Sequence, residues 1–280
     1  LLFKRQGVPG LATGRQARAT TLGTLLARTV LRVRRELEPP GHLELVAGFA
    51  AERIDYDDPL GEVGLGVDDQ RTRNLDLYLS PRINFGLWRG ATLLAMADAR
   101  QEWTRIEQRA WPEPQGDARR HRLGLGFGVQ LDQRLLGDRL HLQPMLRVDA
   151  LTSRFAVPTG AGEPDDRGGN HLDLGLSPRM GARLTILPAV SLRLSGGRYF
   201  RPPSLAELFG DRGFMVGNEG LRPERGTSLD GGLVVDLLRG RADLHAHAAG
   251  FAAWSDQLIQ WQQSGPRLRP VNLDAARVVG

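Results

Sequence analysis

The sequence has no cysteine, a single lysine (Lys4) and only 6% aromatic residues. Without thiols there is no disulfide scaffold, zinc–thiolate site or cysteine nucleophile. No apolar run approaches the roughly 18–20 residues of a membrane-spanning helix. No basic-then-apolar leader stands at the start, and the first residue, Leu1, is not Met, which suggests a piece of a longer chain. Because Lys4 is the only lysine, all other basic residues among the 37 are arginine. They are spread along the chain and interleaved with Asp and Glu, not gathered into the stripe a nucleic-acid interface needs. No nucleophile elbow, phosphate loop or zinc-protease helix motif is present, so no catalytic residue is assigned and an enzyme is not expected. Gly124, Gly126 and Gly128 imitate a dinucleotide fingerprint, but they sit inside an alternating segment with no helix after it.

Bulk composition is ordinary: 280 residues, 41% hydrophobic, formal net charge +5. The order of residues is not. Leu172, Leu174, Leu176, Pro178, Met180, Ala182, Leu184 and Ile186 alternate strictly with His171, Asp173, Gly175, Ser177, Arg179, Gly181, Arg183 and Thr185. A helix would scatter both sets around its axis; only a strand sorts them onto two faces. The pattern recurs around Leu75–Leu77–Leu79, Leu123–Leu125–Phe127–Val129, Leu140–Leu142–Leu146–Val148, Val190–Leu192–Leu194, Leu229–Leu233–Val235 and Leu244–Ala246–Ala248. About eleven strands are expected, several longer than the usual five or six residues. Short connections near 85–89, 136–138, 187–189 and 239–240 alternate with long polar ones near 55–70, 106–119, 156–169, 201–225 and 256–267. Tight turns would then gather at one end of an antiparallel sheet and long loops at the other, as in an outer-membrane barrel. Trp103 and Trp254 fall near the long-loop ends of apolar faces, and Phe85 and Trp88 near the short-turn ends, as interfacial aromatics do. Alternation alone also suits a soluble sheet protein whose apolar face is a core.

The segment 195–232 separates these readings. It carries Gly197, Phe200, Arg201, Pro203, Ser204, Glu207, Leu208 and Phe209, then Gly217 and Asn218, then Leu221, Pro223, Glu224 and Ser228. This run resembles the mid-barrel signature of TonB-dependent outer-membrane receptors. Asn272, Ala275, Ala276, Arg277 and Gly280 resemble that family's next landmark, and two Leu-Ser-Pro-Arg pieces at 79–82 and 176–179 are similar to stretches of such barrels. Glu219 departs from the family pattern, which has Pro after Asn. Read from the residues alone, Pro202 and Pro203 end strand pairing, Ser204 caps a helical turn, and Gly210, Gly213 and Gly217 allow sharp turns.

The resemblance implies an all-β fold: an antiparallel transmembrane β-barrel of which residues 1–280 supply about half of some 22 strands, truncated at both ends and without the plug domain. It implies TonB-dependent uptake, across the bacterial outer membrane, of a scarce chelate: a ferric siderophore first, cobalamin or haem as alternatives. The partners implied are the TonB–ExbB–ExbD system, reached through a plug, together with the chelate and outer-membrane lipid, with no nucleic acid and no cofactor. A passive porin-type barrel and a soluble β-sheet binding protein are the rival functions. By position at the long-loop ends, Trp111, Arg201 and Phe214 are the expected ligand contacts. Phe200, Arg201, Pro203, Glu207, Leu208, Gly217, Asn218, Leu221, Pro223, Glu224 and Asn272 are expected to shape the motif loop. His141, His171, His245 and His247 lie on polar strand faces, and no metal site is assigned to them. The acidic pairs Asp57–Asp58, Asp68–Asp69 and Asp165–Asp166 are expected to be solvated loop residues.

Overall fold

The computed structural model describes residues 1–8, 17–38, 41–63, 66–109, 118–155, 170–212, 215–239, 242–265 and 267–280. Trp111 and Phe214 lie outside the described residues. The strands are β1 (Leu2–Gly7), β2 (Thr21–Leu37), β3 (Gly41–Asp58), β4 (Asp68–Trp88), β5 (Ala91–Gln108), β6 (Ala118–Leu135), β7 (Leu140–Phe155), β8 (Asn170–Leu187), β9 (Val190–Arg201), β10 (Gly210–Arg212), β11 (Met215–Val216), β12 (Glu224–Arg239), β13 (Ala242–Ser264) and β14 (Arg267–Val279). One short helix, α1, spans Leu205–Phe209. All strands belong to one sheet in the order β1 to β9, then β12, β13, β14, β11, β10. Neighbours are antiparallel except β11, which runs parallel to β14 at Met215↔Leu268. The described sheet is an open wall with β1 at one edge. The long strands, β2–β9 and β12–β14, match the number the alternation predicts.

Exposure decides what the two faces are for. Leu172, Leu174 and Leu176 are 60%, 57% and 59% exposed. On the other face Glu102, Thr104, Arg122, Ser153 and Ser177 are between 4% and 9% exposed. A water-soluble sheet would show the reverse. The ladders keep the sorting continuous: Leu79↔Ala99, Ala99↔Leu125, Leu125↔Ala150 and Ala150↔Leu174 place apolar residues of five strands side by side on the outer face. At about 3.3 Å per residue, an 18-residue strand such as β3 or β6 is roughly 60 Å long. Tilted near 40°, it rises well beyond an apolar band of about 25 Å. Among the described residues no helix is long and apolar enough to cross a membrane; the crossing elements are strands.

Among the described residues, buried apolar side chains form two small clusters, both at the long-loop end: Val8, Leu22, Tyr56 and Val63, and Leu208, Leu221 and Ile259. The first lies where the two earliest long connections lock together. Asp58, expected from the sequence to be a solvated loop residue, is instead fully buried at the end of β3, because it accepts from Thr20 Oγ1 (2.8 Å) and from the backbone N–H groups of Glu62 (2.8 Å) and Val63 (2.9 Å). Glu62 in turn accepts from the N–H groups of Arg18 and Ala19 (2.7 and 2.8 Å). The backbone bonds to Ala19, Arg18 and Thr20 outweigh burial and hold the Glu62 carboxyl below its ordinary range.

One expected loop is a strand. The polar stretch 256–267 continues β13 to Ser264 and pairs Leu258↔Leu273 through Ser264↔Arg267, with Gly265 at φ +61° after the strand's end. This hairpin stands above the band, where its outer face meets water while Ile259 packs inward on the motif loop, so polar composition is no sign of a loop there. Gln257 takes φ +58° without a shift of register, and Ile259 packs inward on Leu208 and Leu221.

Candidate functional site: the inner wall and the infolded motif loop

The inner wall carries a linked row of charges. On β4 to β6, Arg100 donates to Asp76 (3.0 Å) and lies 3.3 Å from Glu102, and Glu102 pairs with Arg122. One row lower, Arg147 on β7 pairs with Asp98 (2.6 Å) and Asp149 (2.7 Å). Uncharged groups join in: Asn74 donates to Glu52 (3.0 Å) and accepts from Thr104 (3.0 Å). Each of these residues is offset by an even number of positions on its strand, so the register that exposes leucine outside gathers these groups inside. The glycines of β6 do thin this face, but the wall's own side chains fill part of the space. A Cβ at Gly126 would meet Arg147 Nη2 at 2.3 Å, and one at Gly128 would meet Met96 Cγ at 3.2 Å.

Against this wall leans the motif loop. Pro202 and Pro203 end β9, and Ser204 caps α1. Its Oγ accepts from the Glu207 N–H (3.2 Å), while Glu207 Oε2 accepts from the Ser204 N–H (2.7 Å). Gly210 follows at φ +71°, a conformation glycine takes without strain. Gly217 has a different reason: a Cβ there would sit 2.3 Å from the Leu208 carbonyl oxygen and 2.4 Å from Phe209 backbone. The Asn218 N–H donates to the Glu207 carbonyl (2.9 Å), closing the loop on itself. Leu208, Leu221 and Ile259 form its apolar underside.

Two arginines of β6 fasten the loop inward. Buried Arg122 donates to the Pro203 carbonyl oxygen (2.7 Å) as well as to Glu102. Arg120 pairs with Glu219 and stacks its guanidinium 3.9 Å from the Phe209 ring centre. Glu219, the residue that departs from the family pattern, therefore makes an ion pair in this chain. The loop overhangs a recess of about 560 Å³ whose lining includes Glu52, Asn74, Asp76, Arg100, Glu102 and Phe209. A second recess of about 340 Å³ lies below Phe200 and Pro202, over Gly124 and Gly126.

A clasp closes the base of the loop. Arg201 donates from Nε and Nη2 to Glu224 (3.1 and 3.0 Å) and from Nη1 to Glu207 (3.1 Å). Tyr199 OH donates to Glu224 (2.7 Å) and lies 2.9 Å from Ser255 Oγ. Burial acts to raise the Glu224 carboxyl, but the bonds from Tyr199 and Arg201 outweigh it and hold the group below its ordinary value of 4.5. A carboxyl lowered on folding contributes stability that is complete above its unfolded pKa and is lost as pH falls through the folded one. Amide protection factors at Arg201 and Glu207, the free-chain exchange rate divided by the observed one at the same pH, are therefore expected to be unchanged from pH 7 to 5 and to fall below about pH 4. A Glu224→Gln variant should lose that pH step; a step of the same size would show that another group carries it.

Of the residues singled out in the sequence, the structure brings together Arg201, Glu207 and Glu224 in this clasp. Pro203 and Leu208 lie at the loop's contacts with wall and core. Phe200 is folded over Gly175, where a Cβ would meet the ring at 2.3 Å. Asn218 donates to the Pro270 carbonyl (2.9 Å), and Asn272 bonds both the N–H (2.8 Å) and carbonyl (3.0 Å) of Arg222, the residue before Pro223. Glu102, Arg120 and Arg122 escaped the sequence reading; their only signal is the shared phase of Arg120 and Arg122 directly above the glycine ladder. Among the described residues no group of three His, Asp or Glu converges to hold a metal ion. His171 pairs with Asp173 and His245 with Asp236.

An exposed apolar outer face, a charged inner wall and an infolded loop of this composition have a counterpart in sequence space. The model of the TonB-dependent receptor-like β-barrel matches residues 39–280. The chain belongs to this family. A search of curated protein sequences returns no match. Among solved structures, the copper transporter OprC aligns over 94% of the chain with 18% identity and a TM-score of 0.69. The alcaligin outer-membrane receptor FauA from Bordetella pertussis aligns over 93% with 15% identity and a TM-score of 0.62. BauA, the ferric preacinetobactin receptor from Acinetobacter baumannii, aligns over 98% with 10% identity and a TM-score of 0.64. At these identities the likeness is one of fold. The chain spans 44%, 43% and 45% of those three structures, less than half of each. As a TonB-dependent receptor barrel, the wall belongs in the outer membrane of Gram-negative bacteria, and its leucine face is the lipid face. The family is one of receptors and transporters.

Proposed function

We propose that the chain forms wall, lumen and extracellular loops of a receptor for TonB-dependent uptake of a metal chelate, a ferric siderophore in the first place, with haem or cobalamin as the other ligand classes. Energy would come from TonB–ExbB–ExbD through a plug domain. The observation that carries this reading is the motif loop, folded inward by Arg120 and Arg122 over a charged recess instead of standing free in solvent. The match to the TonB-dependent receptor-like barrel over residues 39–280 supports active uptake over passive diffusion. Trp111, Arg201 and Phe214 remain the proposed ligand contacts. Arg201 would meet an anionic chelate in competition with Glu207, since all three of its guanidinium nitrogens are engaged by carboxylates.

The test uses the full-length receptor in a strain deleted for its own siderophore receptors. Uptake of radioiron from a panel of ferric chelates, ferric haem and labelled cobalamin is measured with and without TonB. Saturable uptake of one ligand class that disappears without TonB is the expected result. Non-saturable, TonB-independent entry would make the barrel a passive pore and overturn the reading.

A further inference from the structure

The chain has six histidines, and their ladder neighbours set them apart. His121 stands opposite Arg154 and His141 opposite Arg183, so each already faces a cation. His171 lies opposite Ser153 and bonds Asp173, with a single imidazole in the pair. His245 and His247 differ. They are two positions apart on β13, where same-face side chains are about 7 Å apart along the strand. The β12–β13 ladder sets them opposite Asp236 and Val234, out of phase with Leu233, Leu237 and Leu244 on the exposed leucine face. Both imidazoles therefore project to the lumen side.

The two rings are 6.3 Å apart between centres, with planes at 43°. His245 Nδ1 bonds the Asp236 carboxylate. A carboxylate accepts only from a protonated nitrogen, so in the neutral ring Nδ1 carries the proton and Nε2 keeps its lone pair. Carboxylates hold metal-bound histidines in the same way. Two imidazole nitrogens on one ion, each about 2.0–2.1 Å from it, bring the ring centres to about 5 Å. Rotation of the two exposed side chains closes the remaining gap from 6.3 Å. Asp236 is already engaged by His245 and stands behind it, which is why no group of three converges on one point among the described residues. Imidazole ligation suits borderline divalent ions, with Cu²⁺ above Ni²⁺ and Zn²⁺ in affinity. Mg²⁺ and Ca²⁺ take shells of oxygen, which two imidazoles do not offer.

We propose that His245 and His247 chelate one divalent transition-metal ion, Cu²⁺ most tightly, on the lumen wall near the short-turn end of β12 and β13. Water completes the coordination shell. Asp236 is the positioning residue: it fixes the tautomer and orientation of the His245 ring and raises its basicity. β12 ends at Arg239, three residues past Asp236, and the short turns of such barrels lie on the periplasmic side. The ion therefore sits at the exit end of the lumen, away from the motif loop at its mouth. The proposal goes beyond the uptake reading and stands without it.

The test is made on the full-length receptor, purified in detergent, stripped with EDTA and titrated with Cu²⁺ under electron paramagnetic resonance. The expected result is one bound ion whose spectrum carries the splitting of two imidazole nitrogens. H245Q/H247Q should bind one equivalent fewer, and each single variant should lose one nitrogen from the splitting. D236N should keep both nitrogens and weaken binding about 10–100-fold, which a merely structural role for Asp236 would not do. The heat-modifiable band confirms that each variant is folded. If H245Q/H247Q fails to fold, the parent gives the equivalent reading: Cu²⁺ should protect His245 and His247 from diethyl pyrocarbonate, as located by mass spectrometry. No bound ion, an unchanged stoichiometry in H245Q/H247Q, or protection of other histidines only would overturn the proposal.

Discussion

Phe127→Arg is expected to cost the receptor about 2–4 kcal/mol and to lower its abundance in the outer membrane sharply. Phe127 sits in the middle of β6, 55% exposed on the leucine face, between Ala97 and Val148 on the neighbouring strands. In water such a position would welcome arginine. At the midplane of a bilayer an outward arginine must be desolvated or must distort the lipid around it, which is the source of that magnitude. Gln130→Arg on the same strand is the control. Its side chain faces the lumen, where the charge stays hydrated, and a change below about 1 kcal/mol is expected. Urea unfolding in liposomes, with the heat-modifiable band as a folding readout, measures both. Equal costs at the two positions would mean that the faces have been assigned wrongly.

Arg122→Ala carries the second large effect. The guanidinium is buried between Glu102 and the Pro203 carbonyl, so removing it strands one carboxylate and one carbonyl at once. Breaking a buried pair from one side costs about 3–5 kcal/mol. Arg100, 3.3 Å from Glu102, relieves part of this, and the lower end is expected. The more specific result is local. Amides of α1 should exchange at least tenfold faster, because the loop loses the tie nearest the start of α1 while Arg120 still holds Glu219 and Phe209. Arg122→Lys should be intermediate, since one ammonium cannot hold both partners in the fork geometry of Arg. Unchanged exchange in α1 would show that Arg120 and the apolar underside hold the loop inward without Arg122.

Much of the wall is legible in the sequence because a bilayer imposes a strict rule. Every second residue between Leu172 and Ile186 meets lipid, so the alternation is uninterrupted and its period names the element. Where the strand leaves the bilayer the rule lapses, which is why the 256–267 hairpin reads as a polar loop. The loop's local devices are legible too: Pro202–Pro203, the Ser204 cap and Gly210 act through their own backbones. Its attachment to the wall is not. Arg122 and Pro203 are 81 residues apart, and Arg120 and Glu219 are 99. They meet only because β7, β8 and β9 return the chain three times before the loop begins, and no spacing rule encodes that distance. The opposition of Asp236 and His245 likewise depends on the register of one ladder, which a shift of a single residue would undo.

The most direct test is a scan of accessibility along β8. The described chain contains no native cysteine, so single cysteines at Leu172, Asp173, Leu174, Leu176, Arg179, Met180, Arg183 and Leu184 can each carry a spin label without background from this segment. The full-length receptor is placed in liposomes, and collisions with oxygen, which concentrates in lipid, are compared with those of a water-soluble nickel complex. Labels at 172, 174, 176, 180 and 184 are predicted to favour oxygen, and those at 173, 179 and 183 the nickel complex, in strict alternation. Nickel access at both sets, or the opposite phase, would contradict the assignment of the leucine face to lipid and of the charged face to the lumen.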